Sequence, residues 1–472
     1  MSALRAKILA ARALGELARR ARRGGGTTLP GRLLTALEPD AVGLLAARLP
    51  RGCAIISATN GKTTTAALAA SILARAGIAL VHNRTGANMP GGVAAALLEA
   101  AARDGRMRGQ LGLFEVDEFW LEPLARELRP RAVLLGNLFR DQLDRYGELE
   151  AIADRWAVAV SRLPAEARLV LNADDPLVAD LGRDRARVRY FGIEDPSVGL
   201  SALQHASDSK HCRRCGAPYS YEAIYLGHLG RYSCPSCAQR RPEPEVRAQE
   251  IELAGVRGSR FTLRVGREEV RIALALPGLY NVYNALGAAA LCLELGLDPK
   301  QIAAGLAAAT AAFGRGETLE LDGRRLSLLL IKNPAGANEV IRTLTLEGGE
   351  LELLIVLNDR IADGRDISWI WDADLEQIAG RIARAVCAGT RAAELALRLK
   401  YAGVPVPRLR IEPRLPAALD AALAEGARGP LYVLPTYTGL LELRRELERR
   451  GLLAPYWAPP TAIASAREEA RT

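Results

Sequence analysis

The chain has 472 residues, a formal net charge of +9, 49% hydrophobic residues and 25% charged residues. This balance excludes disorder on the scale of a domain and suggests two or three folded units. No apolar run reaches the roughly 18 residues of a membrane span, and no apolar core precedes a small-residue cleavage site, so the sequence reads as cytoplasmic and unprocessed. The basic balance admits nucleotides, nucleic acid or an anionic membrane surface as partners. Seven Cys, an odd number, without a secretion signal argue against a disulfide scaffold.

Residues 1–26 are Ala/Leu-rich and basic, with Arg5, Arg12 and Arg19 at heptad spacing, one stripe if the segment is helical. From about residue 47, short apolar runs alternate with longer helical patterns. Strands are expected at Cys53–Ser57, Ala79–His82, Leu111–Val116, Ala132–Leu138, Arg168–Asn172 and Val188–Ile193. This strand–helix alternation predicts a mostly parallel sheet. Residues 205–242 break the rhythm, and 245–276 return with the alternation of antiparallel strands. A second α/β block starts near 326, with strands Leu328–Ile331 and Leu351–Leu357 and helices around 374–386, 391–402 and 439–450. The tail beyond Leu453 is Pro/Ala-rich.

Ser57-Ala58-Thr59-Asn60-Gly61-Lys62-Thr63-Thr64 follows a strand and opens a helix, the context of a phosphate loop. Its backbone N–H groups and the helix N-terminus would hold phosphate oxygens. Lys62 would reach the β/γ-phosphates of ATP and the Thr63 hydroxyl would bind Mg²⁺. Ile56 stands where a strict Walker sequence has its first Gly.

This loop resembles the ATP loop of Mur ligases, the enzymes that build peptidoglycan stem peptides, although Ala58 stands where those enzymes usually have Gly. Further matches follow in order: Glu115-Val116-Asp117-Glu118, Asn137 to Gly147, Asn172-Ala173-Asp174-Asp175-Pro176, Leu276 to Ala285, and Gly314-Arg315-Gly316-Glu317. The resemblance implies that Glu115 binds Mg²⁺, that Asn281, with Asn284 beside it, faces adenine, and that Arg315 reaches the phosphates. Gln142 and Tyr146 replace two family His, and the loop begins at residue 57, leaving no room upstream for a UDP-binding domain. Lys332 to Glu339 and Leu357 to Asp372, with the cysteine insert, instead resemble the MurT branch, the ligase-like subunits of lipid II isoglutaminyl synthase. That branch implies amidation of the D-glutamate α-carboxyl of lipid II at the membrane surface, with ammonia from a GatD-type glutaminase in a heterodimer.

A carboxylate becomes electrophilic when ATP converts it to an acyl phosphate, which ammonia can attack. The transfer needs in-line positioning and neutralised charge, here from Lys62 and from Mg²⁺ on Thr63 and Glu115. A carboxylate beside the acyl phosphate could orient ammonia and take its proton. Asp363 is the first choice for this, Asp366 the second, and the sequence does not separate them firmly. Cys53, Cys292 and Cys387 read as buried filler; with no Cys–His pair suggested, glutamine hydrolysis falls to another chain. The C-terminal block is the expected docking face, because ammonia must enter near Asp363.

Cys212-Arg213-Arg214-Cys215 and Cys234-Pro235-Ser236-Cys237 stand eighteen residues apart, a spacing that predicts a structural Zn²⁺ in a small ribbon. The expected organisation is a basic N-terminal segment 1–46, a Mur ligase-type ATP-binding domain 47–318 with the zinc-ribbon insert 205–242, a Rossmann-like C-terminal α/β domain 319–455, and a tail 456–472. The alternatives are a Mur- or folylpolyglutamate-type amino-acid ligase and a zinc-ribbon ATPase acting on nucleic acid. The excess charge is concentrated in 1–26 and 210–241, which implies no basic groove and no nucleic-acid partner. The N-terminal stripe suits an anionic membrane surface, or equally a helix packed on the ligase domain.

Overall fold

The computed structural model describes residues 3–20, 28–83, 87–102, 106–141, 149–204, 207–309, 316–321, 323–424 and 429–453. Arg315, Gln142 and Tyr146, and the segment 456–472 lie outside them.

Three helices come first: α1 (Ala3–Arg20), α2 (Leu29–Leu37) and α3 (Ala41–Ala46). The first strand, β1 (Cys53–Ser57), runs into α4 (Lys62–Arg75), then β2 (Leu80–His82), α5 (Pro90–Ala100), β3 (Leu111–Glu115), β4 (Ala132–Leu135), β5 (Arg168–Asn172) and β6 (Val188–Ile193). A hairpin of β7 (Ser220–Leu226) and β8 (Leu229–Ser233) is followed by β9 (Val246–Leu253), β10 (Ser259–Val265), β11 (Glu268–Leu274) and the long helix α6 (Leu279–Glu294). Nine of these strands form one sheet in the order β11-β10-β9-β6-β5-β4-β1-β3-β2. It is parallel throughout except for β9–β10 and β10–β11.

Side chains alternate across the sheet plane. Ala54 and Ile56 enter one core with α4 and α6, whereas Cys53 and Ile55 enter the opposite core with α1–α3 and α5. The basic N-terminal helix is therefore part of the central fold: Ile8 and Ala11 are buried. Gly31 on α2 lies so close to α5 that a Cβ would stand 2.0 Å from the Gly91 carbonyl oxygen. Arg12 donates to the carbonyls of Leu98, Glu99 and Ala101 at the α5 C-terminus, where a cation complements the helix dipole. Lys7 pairs with Glu38 at 2.9 Å. Two of the basic side chains are thus engaged by the fold itself.

The second sheet contains β12 (Glu317–Leu321), β13 (Arg324–Leu328), β14 (Leu351–Val356), β15 (Ile382–Ala388), β16 (Leu409–Ile411) and β17 (Leu431–Pro435). Its order is β12-β13-β17-β14-β15-β16, parallel but for the β12–β13 hairpin. Helices α7 (Pro334–Thr345), α8 (Ala392–Tyr401) and α9 (Tyr437–Arg449) flank it.

Two expectations are corrected here. The helix expected around 374–386 is one turn, Glu376–Ala379, followed by strand β15. Apart from Arg384, which pairs with Glu352 at 3.0 Å, the run Ile382 to Ala388 is apolar on both faces because β15 lies inside a parallel sheet, and such a run carries little period-2 signal. The strand expected at Leu328–Ile331 is shifted: β13 ends at Leu328, and the next residues only brush β17, with Leu329 N and Ile331 N donating to Val433 O and Pro435 O. No described helix is long and apolar enough to cross a membrane.

Candidate active site

In each sheet the central parallel strand lies between neighbours reached by connections running in opposite directions, and a crevice opens at the strands' carboxyl ends. In the first sheet that strand is β1, flanked by β3 and β4; in the second it is β14, flanked by β15 and β17. The two crevices share one cavity of about 390 Å³, lined by Thr59 to Thr64, Glu115 and Glu118 from the first unit and by Lys332, Gly336, Glu339, Ala362 and Tyr437 from the second.

The loop from β1 to α4 turns at Gly61, whose φ of +84° is left-handed; a Cβ there would stand 2.0 Å from Asn284 Oδ1. Only glycine meets both conditions. The parallel register of β1 and β3 sets Ile56 opposite Glu115, which carries the Glu115 carboxylate to the head of α4. Thr63 Oγ1 donates to Glu115 Oε1 at 3.0 Å. Asn83 clamps the Glu115 backbone from both sides, accepting from its N–H at 3.0 Å and donating to its carbonyl at 2.8 Å. These paired oxygen donors fit the preference of Mg²⁺ for one or two protein ligands plus phosphate and water.

Lys62 is buried, donates to Ala58 O, and pairs with Glu118 Oε2 at 2.7 Å. Burial works against its charge, but Glu118, Asp117 and Glu115 outweigh it and hold the ammonium above its ordinary value. Burial likewise opposes ionisation of Glu118, and Lys62 with Lys332 reverses this, holding it below the usual carboxylate range. The site therefore holds a charged lysine beside a charged carboxylate.

Sequence reasoning singled out neither Glu118 nor the groups that reach across from the second sheet. Lys332 Nζ donates to Thr59 O at 3.0 Å and pairs with Asp141 at 2.5 Å. Burial, against the pull of Lys332, raises the Asp141 carboxyl above its ordinary value. Asn333 and Asn60 exchange side-chain amide hydrogen bonds at 3.0 and 3.2 Å, and Asn137 holds the Asn60 backbone N–H at 2.8 Å. Lys332 and Asn333 are the start of a run already quoted for its resemblance; what was missing was which loop they would meet.

Asn281 and Asn284 sit on α6, joined by a 2.9 Å hydrogen bond, and Asn284 lines the cavity. Asp363 is buried beside it: Thr438 N–H donates to its carboxylate at 2.7 Å and Thr438 Oγ1 donates as well. Burial raises its carboxyl, against the donors of Thr438. Its chain neighbour Ala362 and Tyr437, next to Thr438, reach the cavity wall. Asp366 is exposed, accepts from Ser368 N–H at 2.8 Å and is held below the usual range by that bond. Asp359 is taken by Arg391 and Thr390.

The sulfur atoms of Cys212, Cys215, Cys234 and Cys237 lie within 4.8 Å of one another. Cys212–Cys237 is 3.7 Å and Cys215–Cys234 is 3.4 Å, near the ~3.8 Å edge of a tetrahedron with 2.3 Å zinc–sulfur bonds. The cluster fits a zinc ion. The arginines around it face acids of the central unit: Arg213 meets Asp154, Arg214 meets Asp180, and Arg231 meets Glu194. The β7–β8 hairpin reaches inward from the cluster. Leu226 and Leu229 wall the cavity, and His228 packs on Phe139 at 4.8 Å. A buried chain of contacts joins Arg241 to Asp174 at 2.5 Å and Asp174 to the cavity residue Tyr283 at 2.6 Å.

Residues 56–234 match the Mur ligase middle domain and residues 330–440 the MurT ligase C-terminal domain. The subunit MurT of lipid II isoglutaminyl synthase (glutamine-hydrolyzing) from Streptococcus pneumoniae is 34% identical over 92% of this chain and 94% of its own length. The chain belongs to the MurT family. Its counterpart from Staphylococcus aureus strain N315 is 32% identical over 92% of this chain and 97% of its own. Among solved structures, a pseudomurein peptide ligase type C from Methanothermus fervidus superposes with a TM-score of 0.64 at 23% identity, covering 85% of this chain and 79% of that one. That likeness concerns the fold, the Mur ligase arrangement of two α/β units. Of the MurT-type segments, Lys332 to Glu339 meets the phosphate loop through Lys332 and Asn333, and Leu357 to Asp372 reaches the cavity wall at Ala362.

Proposed function

We propose that this chain is the synthetase subunit of a lipid II isoglutaminyl synthase. ATP phosphorylates the α-carboxyl of D-glutamate in the lipid II stem peptide; ammonia attacks the acyl phosphate, phosphate leaves, and D-isoglutamine is formed. The observation that carries this reading is the full-length kinship with subunits bearing that name, on a cavity where two sheets meet at a phosphate loop.

Thr59 to Thr64 would cradle the phosphates, with Lys62 on the β/γ-oxygens and Thr63 and Glu115 holding Mg²⁺. The metal would offset charge on the transferring phosphoryl group. Asn281 and Asn284 would lie beside the nucleotide, and Arg315 would approach the phosphates. Lys332, anchored by Asp141, adds a second cation at the loop. Asp363 is the group we place at the ammonia step, with Asp366 second: Asp363 is fixed by Thr438 next to residues that line the cavity. The domain division follows the same lines, with 47–318 binding ATP and 319–455 closing over it. The ribbon cysteines would hold Zn²⁺ in a closed set of four, a structural role.

A partner must supply ammonia. Cys53 and Cys387 are buried, with thiols pushed up to about 12, and Cys292 is raised further by burial. None of these offers a thiolate nucleophile at neutral pH. A GatD-type glutaminase fits that need, and the C-terminal unit is its proposed docking face, where Trp371, Leu397, Tyr401, Val406 and Ile411 are exposed. The arginine–carboxylate pairs of the ribbon leave little free charge for nucleic acid. The test is phosphate release with lipid II plus ammonium, compared with amino acids and with DNA or RNA. Dependence on lipid II and ammonium supports the reading; stimulation by nucleic acid alone overturns it.

A further inference from the structure

Glu339 lies on α7, one turn beyond Gly336, and is 1% exposed. Neither carboxylate oxygen has a hydrogen-bond partner among the described residues. Arg342 forms an ion pair with it at 3.7 Å, a separation that offsets charge but is beyond hydrogen-bond reach. Its own donors go to Tyr225 O, at 2.8 Å, and to Val198 O. Yet Glu339 lines the cavity, whose wall also includes Leu226, Leu229, Tyr283 and Val340. A buried carboxylate without donors is costly, so an acceptor left open in a cavity wall points to a donor on the ligand.

The cavity is polarised. Lys62, Lys332, Thr63 and Glu115 gather at the phosphate loop, which suits a polyphosphate and its metal. The Glu339 carboxylate, whose charge repels phosphate, is buried on α7, and Leu226, Leu229 and Val340 are apolar members of the same cavity lining. The part of a nucleoside triphosphate that belongs there is flat, apolar on both faces and carries an N–H donor at its edge. We propose that Glu339 accepts a hydrogen bond from the exocyclic 6-amino group of adenine and so selects the base. This rests on reading the cavity as the nucleotide site. Burial pushes the carboxyl up to about 7, so a bound amine would draw it toward the ionised form. The ribose hydroxyls are the competing donors.

The experiment is calorimetric titration of the full-length chain with Mg²⁺ at pH 8.5, using ADP, 2′-deoxy-ADP and the 6-unsubstituted purine ribonucleoside diphosphate. The wild type is expected to bind the 6-unsubstituted analogue at least tenfold more weakly than ADP. In Glu339→Met, of similar length and with no oxygen acceptor, that ratio should fall to threefold or less. An unchanged ratio in the variant overturns the assignment. So does a variant effect that appears with 2′-deoxy-ADP instead, which assigns Glu339 to the ribose. Equal wild-type affinity for ADP and the 6-unsubstituted analogue overturns it even if the variant does not fold. Failure of every nucleotide to bind would remove the nucleotide reading itself, an outcome distinct from binding without discrimination.

Discussion

The two sheets meet at one cavity but equip it differently. The first sheet supplies its chemistry from consecutive residues: a left-handed glycine, a buried lysine and a threonine within Gly61 to Thr63, completed by Glu115 through strand register. The second supplies single residues from separate segments: Lys332 and Asn333 before α7, Glu339 within it, Ala362 before the held Asp363, and Tyr437 at the start of α9. On the proposed function, one half would hold the phosphates and the other would decide what is done with the phosphoryl group. The contrast predicts that changes in the first half remove turnover outright and changes in the second separate binding from chemistry.

The largest effect is expected at Lys62. Its charge is held by three carboxylates and aimed at the loop, and preorganised cations of this kind supply several kcal/mol to phosphoryl transfer. Lys62→Ala should lower phosphate release with lipid II and ammonium by about 1000-fold or more. A loss below tenfold would break the assignment of the loop.

Next comes the pair Asp363 and Asp366. Asp363→Asn should abolish amidation, by about 100-fold or more on the scale of a lost acid–base group, while ADP affinity stays within a factor of about two. Asp366→Asn, altering an exposed turn cap, should cost at most about threefold. Equal losses in the two variants would erase the distinction drawn from Thr438. Full activity of Asp363→Asn would remove that residue from the mechanism.

The difference between the halves also explains what was legible in the sequence. The phosphate loop could be read because its parts are adjacent and its strand–loop–helix context is local. The cysteine cluster could be read because two short knuckles carry all four sulfurs. Lys332 and Thr59, Asn333 and Asn60, and Asp363 and Thr438 are pairs separated by 273, 273 and 75 positions, and no local pattern announces such meetings. Strand β15 was misread because burial on both faces erases its period. The inward reach of the β7–β8 hairpin is not legible for a related reason: cysteine spacing brings the four sulfurs together but does not give the direction in which the hairpin points.

That hairpin links the cysteine cluster to the cavity wall that Glu339 also lines. Cys215→Ser should lower bound zinc from about one per chain toward none. By loosening Leu226 and Leu229 it should weaken ADP binding by about tenfold, the cost of losing part of an apolar wall. Zinc loss with unchanged ADP affinity would confine the ribbon to a local structural role.

The smallest effect is a pH dependence of stability from Glu339. Its folded-state carboxyl is raised from 4.5 to about 7 by burial, so the folded chain holds a proton that the unfolded chain releases. That contribution is fully present below the unfolded value near 4.5 and is lost as the pH rises through about 7. For the chain without nucleotide, the melting temperature of the wild type should therefore fall by a few degrees relative to Glu339→Gln between pH 5 and pH 8. ADP should remove part of that difference, because a donor in the cavity gives the ionised carboxylate a hydrogen bond that Arg342, at 3.7 Å, does not supply. If the wild type and the variant melt in parallel across this range, the carboxylate is solvated in the free chain. The cavity wall would then lack the acceptor without a hydrogen bond that distinguishes this half of the site from the phosphate loop.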